Sequence, residues 1–113
     1  ASERFIAAEF IREKIMLLTA QEIPYSTAVE IDSFKEEEAK NLIRINATIT
    51  VEKESQKAIM IGKKGAMLKE IGTQARLEME KLFDAKVFLK LFVRVKKDWT
   101  SSDKMLQEFG LIK

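Results

Sequence analysis

The sequence predicts an α+β fold: a three-stranded mixed sheet with helices packed on one face, in the order α-β-β-α-α-β-α. Three observations carry this expectation. The spacing of apolar residues changes along the chain from a helical period to a period of two and back. Two helical segments separate the last strand from the two before it, enough chain to cross over and pair in parallel. Each strand has an apolar face that must be covered, which a layer of helices supplies. With 113 residues, 46% hydrophobic, 34% charged and a single proline, the chain suits one folded domain spanning residues 1–113, not two domains or a disordered tail.

Between positions 5 and 18, apolar residues recur at Ala7, Ile11, Ile15 and Leu18, so an amphipathic helix is expected with Glu9, Glu13 and Lys14 turned to water. Pro24 should end that segment, because it lacks an N–H and biases its predecessor toward extended backbone. From Tyr25 the period becomes two: Tyr25, Thr27, Val29 and Ile31 share one strand face, and Ile43, Ile45, Ala47, Ile49 and Val51 share another. The charged stretch 35–40 between them reads as a solvated hairpin loop, and Glu36, Glu37 and Glu38 as surface carboxylates.

A short helix is expected from Glu54 or Ser55 through Ile61, interrupted by Gly62 and Gly65. A long helix then covers 66–83, with Leu68, Ile71, Ala75, Met79 and Leu82 on one face. Gly72 inside it costs roughly 1 kcal/mol relative to alanine, which implies close approach of another element. In the third strand Val87, Leu89, Leu91, Val93 and Val95 alternate with Phe88, Lys90, Phe92, Arg94 and Lys96, giving one apolar face and one aromatic, basic face. A last helix starts near Ser102 or Asp103, carries Met105, Leu106 and Phe109, and stops at Gly110. Trp99 is expected to anchor it.

The composition weighs against several function classes. The chain has no histidine and no cysteine, which removes the commonest general base, the thiol nucleophile and the usual zinc ligands, so neither a metal nor another cofactor is expected. Glu78 and Glu80 are placed on the outward side of the long helix, where solvated charge is the better reading than catalysis. A phosphate loop needs Gly-x4-Gly-Lys-Ser/Thr, whereas Gly65 is followed by Ala66 and Met67. Nucleotide triphosphate binding, and enzymatic activity generally, are therefore not expected. No run reaches the roughly 18 apolar residues of a membrane span, and the chain reads as cytoplasmic. Beginning at Ala1 without a methionine, it is expected to be an excised piece of a longer protein.

The net charge of +2 hides an asymmetry: residues 1–56 carry seven Lys/Arg against eleven Asp/Glu, and residues 57–113 carry thirteen against seven. Either a basic working surface in the second half or a well-solvated Lys/Glu-rich surface accounts for it. The stretch Gly62-Lys63-Lys64-Gly65 sharpens the question. Flanking glycines allow unusual backbone conformations and leave no side chain between the main chain and a ligand. The helix from Ala66 presents the positive end of its dipole, and Lys57, Lys63, Lys64 and Lys69 add cations with no acid between them. A soluble helix–turn–helix corner is the plainer reading of the same residues.

The residues 60–71, Met-Ile-Gly-Lys-Lys-Gly-Ala-Met-Leu-Lys-Glu-Ile, resemble the signature of KH domains, in which an Ile-Gly-x-x-Gly turn joins two helices and clamps about four nucleotides of single-stranded nucleic acid. The element order is similar to the type II arrangement. Beyond the motif, Glu22-Ile-Pro-Tyr-Ser26, Gln56-Lys57, the stretch 89–96, Trp99 and Gly110-Leu111 resemble the carboxy-terminal domain of a family of bacterial ribosome-assembly GTPases more than the type II KH domains of a ribosomal protein or a transcription factor. The resemblance implies that Gly62, Lys63, Lys64 and Gly65 clamp an RNA backbone, that Ile59, Ile61, Leu68 and Ile71 line an apolar groove for bases, that Lys57 and Lys69 add charge, and that main-chain groups near Ile49 and Val51 read base edges. It further implies single-stranded RNA at the 3′ end of 16S ribosomal RNA and the small subunit as partners, a GTPase domain of the parent chain as neighbour, and peripheral membrane association through that parent. A protein-interaction domain docking a GTPase or ribosomal protein is the alternative. Phe88 and Phe92 with Lys90, Arg94 and Lys96 suit base stacking, an open sheet face or a contact with the neighbouring domain.

Overall fold

The computed structural model describes residues 2–19 and 26–113. The chain order is α1 (Glu3–Thr19), β1 (Ala28–Glu37), β2 (Leu42–Val51), α2 (Glu54–Ile61), α3 (Ala66–Phe83), β3 (Lys86–Val95) and α4 (Asp103–Glu108), with short 3₁₀ turns at Glu38–Lys40, Lys63–Gly65 and Trp99–Ser101. The expected breaks at Pro24 and Tyr25 lie outside the described residues.

The sheet order is β1-β2-β3. β1 and β2 pair antiparallel, and β2 and β3 pair parallel from Leu42↔Lys86 to Val51↔Val95. This is the mixed sheet that the two intervening helices allow. Alternation sends Ile43, Ile45, Ala47, Ile49, Val51 and Val87 to one face, where they meet Ala7, Ile11 and Ile15 of α1, Met60 of α2, and Ile71, Ala75 and Met79 of α3. The three longer helices therefore cover one face. The short α4 belongs to a separate small cluster in which Ala28, Trp99 and Met105 are buried. Trp99 is its anchor, donating from Nε1 to the Ser26 carbonyl at 2.9 Å and meeting Phe109 edge to face at 5.1 Å.

Several expectations are corrected. Residues 35–37 are not loop: β1 runs on through Glu37, with Lys35, Glu36 and Glu37 opposite Arg44, Ile43 and Leu42. The connection shrinks to one 3₁₀ turn closed by left-handed Asn41 (φ 48°). A bulge between Ile31 and Ser33 shifts the register, so Phe34 turns to the core side and meets Phe83 edge to face at 5.8 Å. Leu82 is 57% exposed, because Phe83 takes the last inward position of α3.

Lys14 is the sharpest correction, since it is buried, not turned to water. It lies three residues after Ile11 and four before Leu18, on the inward stripe itself. Its Nζ bridges Glu13 and Glu78, each at 2.9 Å, while its stem packs between α1 and α3. Glu78 is consequently a tie between two helices instead of a merely solvated charge. Glu80 is also committed, accepting from Arg76 at 3.2 Å and from the Val87 N–H at 2.9 Å.

The hydrogen bonds from Glu13 and then Glu78 raise the Lys14 pKa above its usual 10.5, against the opposing effect of burial. A raised folded-state value stabilises fully below the unfolded pKa and loses that contribution as pH rises through the folded one. We expect Glu78→Ala to cost about 1 kcal/mol in urea unfolding at neutral pH, below the usual penalty for breaking a buried pair because Glu13 remains and both carboxylates are substantially exposed. The difference between this variant and the parent should be flat from neutral pH up to about pH 10 and narrow above it. A difference unchanged through that alkaline window would exclude Lys14 as its source.

Candidate functional site

Glycine builds both ends of the turn between α2 and α3, for two different reasons. Gly62 (φ 75°, ψ 177°) caps α2 by donating its N–H to the Ala58 carbonyl at 2.9 Å. A Cβ placed on it would lie 2.7 Å from the Cβ of Met67 and 2.8 Å from its backbone nitrogen. That distance excludes a side chain. Lys64 is left-handed (φ 55°) within the Lys63–Gly65 turn, and the Gly65 N–H donates to the Gly62 carbonyl at 3.1 Å. Gly65 is also left-handed (φ 78°, ψ 10°), yet a Cβ on it would meet nothing within 4 Å. The first glycine lets the turn close; the second leaves the space above it open.

That space continues into a groove of about 380 Å³ between α3 and β3. Gly65, Leu68, Lys69, Gly72, Thr73 and Arg76 border it from the turn and α3, and Leu89, Lys90 and Leu91 from β3. At Gly72 the two walls come close, and an added Cβ would stand 3.5 Å from Leu91 Cδ1. The close approach expected at Gly72 is therefore made by β3, at ordinary van der Waals distance.

The outer edge of β3 supplies polar groups to this groove. Lys86 N–H donates to the Asn41 carbonyl at 3.0 Å and Lys96 N–H to the Val51 carbonyl at 2.8 Å, so even-numbered residues of β3 direct their peptide groups toward β2. In a parallel ladder the alternate residues point the other way. The N–H of Val87 does so and is taken by Glu80. Leu89 and Leu91 thus turn N–H and C=O toward the gap facing α3. Ile49 and Val51 cannot provide the expected edge, because β2 is the central strand and is paired on both sides.

Of the apolar residues singled out from the sequence, Leu68 borders the groove. Ile71 is fully buried and supports the groove from the core instead of lining it. Ile59, 52% exposed, and Ile61, half-buried, sit on α2 outside this lining. Lys63, Lys64 and Lys69 are exposed and Lys57 is half-buried. Among the described residues, ion pairs engage Lys14, Lys40, Arg44, Arg76 and Arg94 and none of these four lysines, nor Lys90. The first turn of α3 holds no acid and has no side-chain cap, so its N–H groups add to the positive potential at the turn. Sequence reading missed Gly72, Thr73, Arg76, Leu89, Lys90 and Leu91 as groove residues. Only the close approach at Gly72 hinted that another element lay there.

Comparison with known proteins matches the KH domain family to residues 22–100. The chain is 72% identical over 109 residues to the GTPase Era of Syntrophus aciditrophicus and 65% identical over 108 residues to that of Geobacter metallireducens, covering 96% of this chain and 36% of each relative. It is similar along its whole length to 38% of an Aquifex aeolicus Era variant bound to GDP.AlF4-, at a TM-score of 0.93 and 42% identity. A structure of Era in complex with MgGDPNP and nucleotides 1506–1542 of 16S ribosomal RNA matches at the same TM-score, identity and coverage. The chain spans little more than a third of these proteins. A family match over most of its length, joined to the glycine-flanked turn and the mixed sheet, establishes that the chain belongs to the KH domain family.

Proposed function

We propose that this chain binds single-stranded RNA in the groove between α3 and β3. The turn Gly62, Lys63, Lys64 and Gly65 holds the sugar–phosphate backbone. One observation carries the reading: a left-handed glycine with open space above it stands beside lysines that have no ion-pair partner among the described residues, at the amino end of an 18-residue helix, and opens into an apolar groove along the edge of β3 that no other strand pairs. The complex of Era with 16S ribosomal RNA nucleotides, to which the chain is similar, supports it.

Chemistry assigns the roles. Lys63, Lys64 and Lys69, with Lys57 behind the turn, neutralise phosphates, aided by the α3 amino terminus. Leu68, Leu89 and Leu91 pack against base faces, and the peptide groups of Leu89 and Leu91 meet base edges. Discrimination arises there because a base edge that leaves those groups unpaired pays their desolvation. Ile59 and Ile61 flank the turn and guide the strand toward it, and Ile71 fixes Leu68 from behind. In this reading the domain of residues 1–113 recognises the 3′ end of 16S ribosomal RNA during small-subunit maturation. GTP hydrolysis then belongs to the remainder of the longer protein, as does any peripheral attachment of that cytoplasmic protein to the inner membrane.

The two glycines give a paired test. Asp tolerates the left-handed region better than most residues, and Gly65 has room for it, so Gly65→Asp should cost about 1 kcal/mol in stability. The added charge should weaken binding of a labelled single-stranded RNA at least tenfold in fluorescence anisotropy while the circular dichroism stays that of the parent. Gly62→Ala should instead lose about 2 kcal/mol or more, from strain and the Met67 clash together. Full RNA binding by folded Gly65→Asp would sink the proposal.

Salt supplies a second test. The logarithm of affinity should fall linearly with the logarithm of salt concentration, and Lys63→Ala or Lys64→Ala should each flatten the slope by about 0.7. Slopes indifferent to both substitutions would move the phosphate contacts away from the turn.

A further inference from the structure

The face of the sheet turned away from the three long helices carries a feature that the groove does not use. Along β3, Lys86, Phe88, Lys90, Phe92 and Arg94 point to that side. The carboxylates near them, Glu37 on Arg44 and Glu30 and Glu108 on Arg94, are held in ion pairs and leave Lys86 and Lys90 without such a partner among the described residues. Phe88 is 52% and Phe92 51% exposed. Such exposure is unusual for two large rings four residues apart on one strand, and it is not a by-product of a thin core, since the opposite face of β3 is packed. Arg44 of β2 sits over the Phe88 ring, its guanidinium carbon 5.6 Å from the centroid. Arg44 is also paired with Glu37, whose carboxyl it holds below the usual range, so the guanidinium is fixed in place beside the ring.

Because β3 is the outermost strand, this row begins where the groove ends. Lys90 belongs to both: it borders the groove and lies between the two rings on the row. We infer that a single strand leaving the groove crosses the outer edge of β3 at Lys90 and continues on the open sheet face, where Phe88 and Phe92 stack further bases and Lys86 and Lys90 meet their phosphates. The inference rests on the proposed groove reading and extends it to a second subsite for the same ligand. Exposed aromatic rings flanked by Lys86 and Lys90, which have no ion-pair partner among the described residues, suit a single-stranded nucleic acid, whose bases stack on any π-face and whose backbone needs positive charge. Arg94 at the far end of the row is held by Glu30 and Glu108. Continuity with the groove favours RNA over a protein segment, for which two rings isolated by lysines give little contiguous apolar area.

The test uses the chain as it stands and two labelled RNAs, one of about four nucleotides, enough for the groove alone, and one of about twelve, enough to run onto the sheet. Phe88→Ala and Phe92→Ala should each weaken the long RNA by on the order of tenfold and leave the short one unchanged, and Phe92→Tyr should restore the long RNA's affinity. As both rings are half exposed, thermal unfolding should barely move, which serves as the control. An independent readout is Phe92→Trp, whose emission should be quenched by the long RNA and not by the short, against the constant background of buried Trp99. Unchanged binding of the long RNA by both alanine variants overturns the inference and returns the face to a protein partner. Equal weakening of both lengths overturns it too, because the rings would then act on the groove and not beyond it. Failure of the parent chain to hold the short RNA would instead sink the groove reading, and this extension with it.

Discussion

The contact between Gly62 and Met67 governs the rest of the site. With only 2.7 Å between a notional Cβ on Gly62 and the Cβ of Met67, the backbone of α2 ends against the first turn of α3, and the two helices are held at one angle. That angle aims the amino end of α3 outward while its Ile71, Ala75 and Met79 stay in the core. A larger residue at Gly62 would push the helices apart, and the open position at Gly65 would no longer stand at the mouth of the groove. Packing therefore sets a feature that electrostatics then uses.

Sheet order supplies the other wall. Parallel pairing of β3 on β2 puts β3 outermost, and the same alternation that packs its leucines toward the helices turns the peptide groups of Leu89 and Leu91 outward. Glu80 occupies the Val87 N–H and holds Arg76, so the polar edge is closed at one end and open at the other. A groove bounded by a helix, a glycine turn and a strand edge has both apolar walls and main-chain donors and acceptors. It needs few polar side chains of its own, which is how a chain without histidine or cysteine would carry the recognition site proposed for it.

Much of this was legible in the sequence, and what was not has identifiable causes. β2, β3 and α3 follow their periods almost residue for residue, and the glycine spacing located the turn. At Lys14 position outweighs polarity: the helical period places it on the buried stripe, and its cost is met by carboxylates, one of them 64 residues away. Phe34 was missed because a bulge reverses the alternation that periodicity assumes. The far wall of the groove stayed hidden for a topological reason. Sequence spacing says which residues share a strand face, but not which strand is central; the expected edge near Ile49 and Val51 lies on the paired central strand, and the open peptide edge lies on β3.

Charge follows the same division between near and distant information. The net value of +2 says little, and the split between halves says only where cations are dense. What matters is which of them folding consumes. Carboxylates at Glu37, Glu78, Glu80 and Glu108 are drawn into pairs with Arg44, Lys14, Arg76 and Arg94, and these pairs brace helices, the hairpin and the carboxy-terminal cluster. The lysines of the turn and of the β3 edge are left without such partners among the described residues. Their field is therefore not cancelled locally, and it is spread along one continuous path from the turn across the groove to the outer strand. A polyanion is attracted by that path as a whole, while the apolar walls and peptide edge decide which part of it comes to rest there.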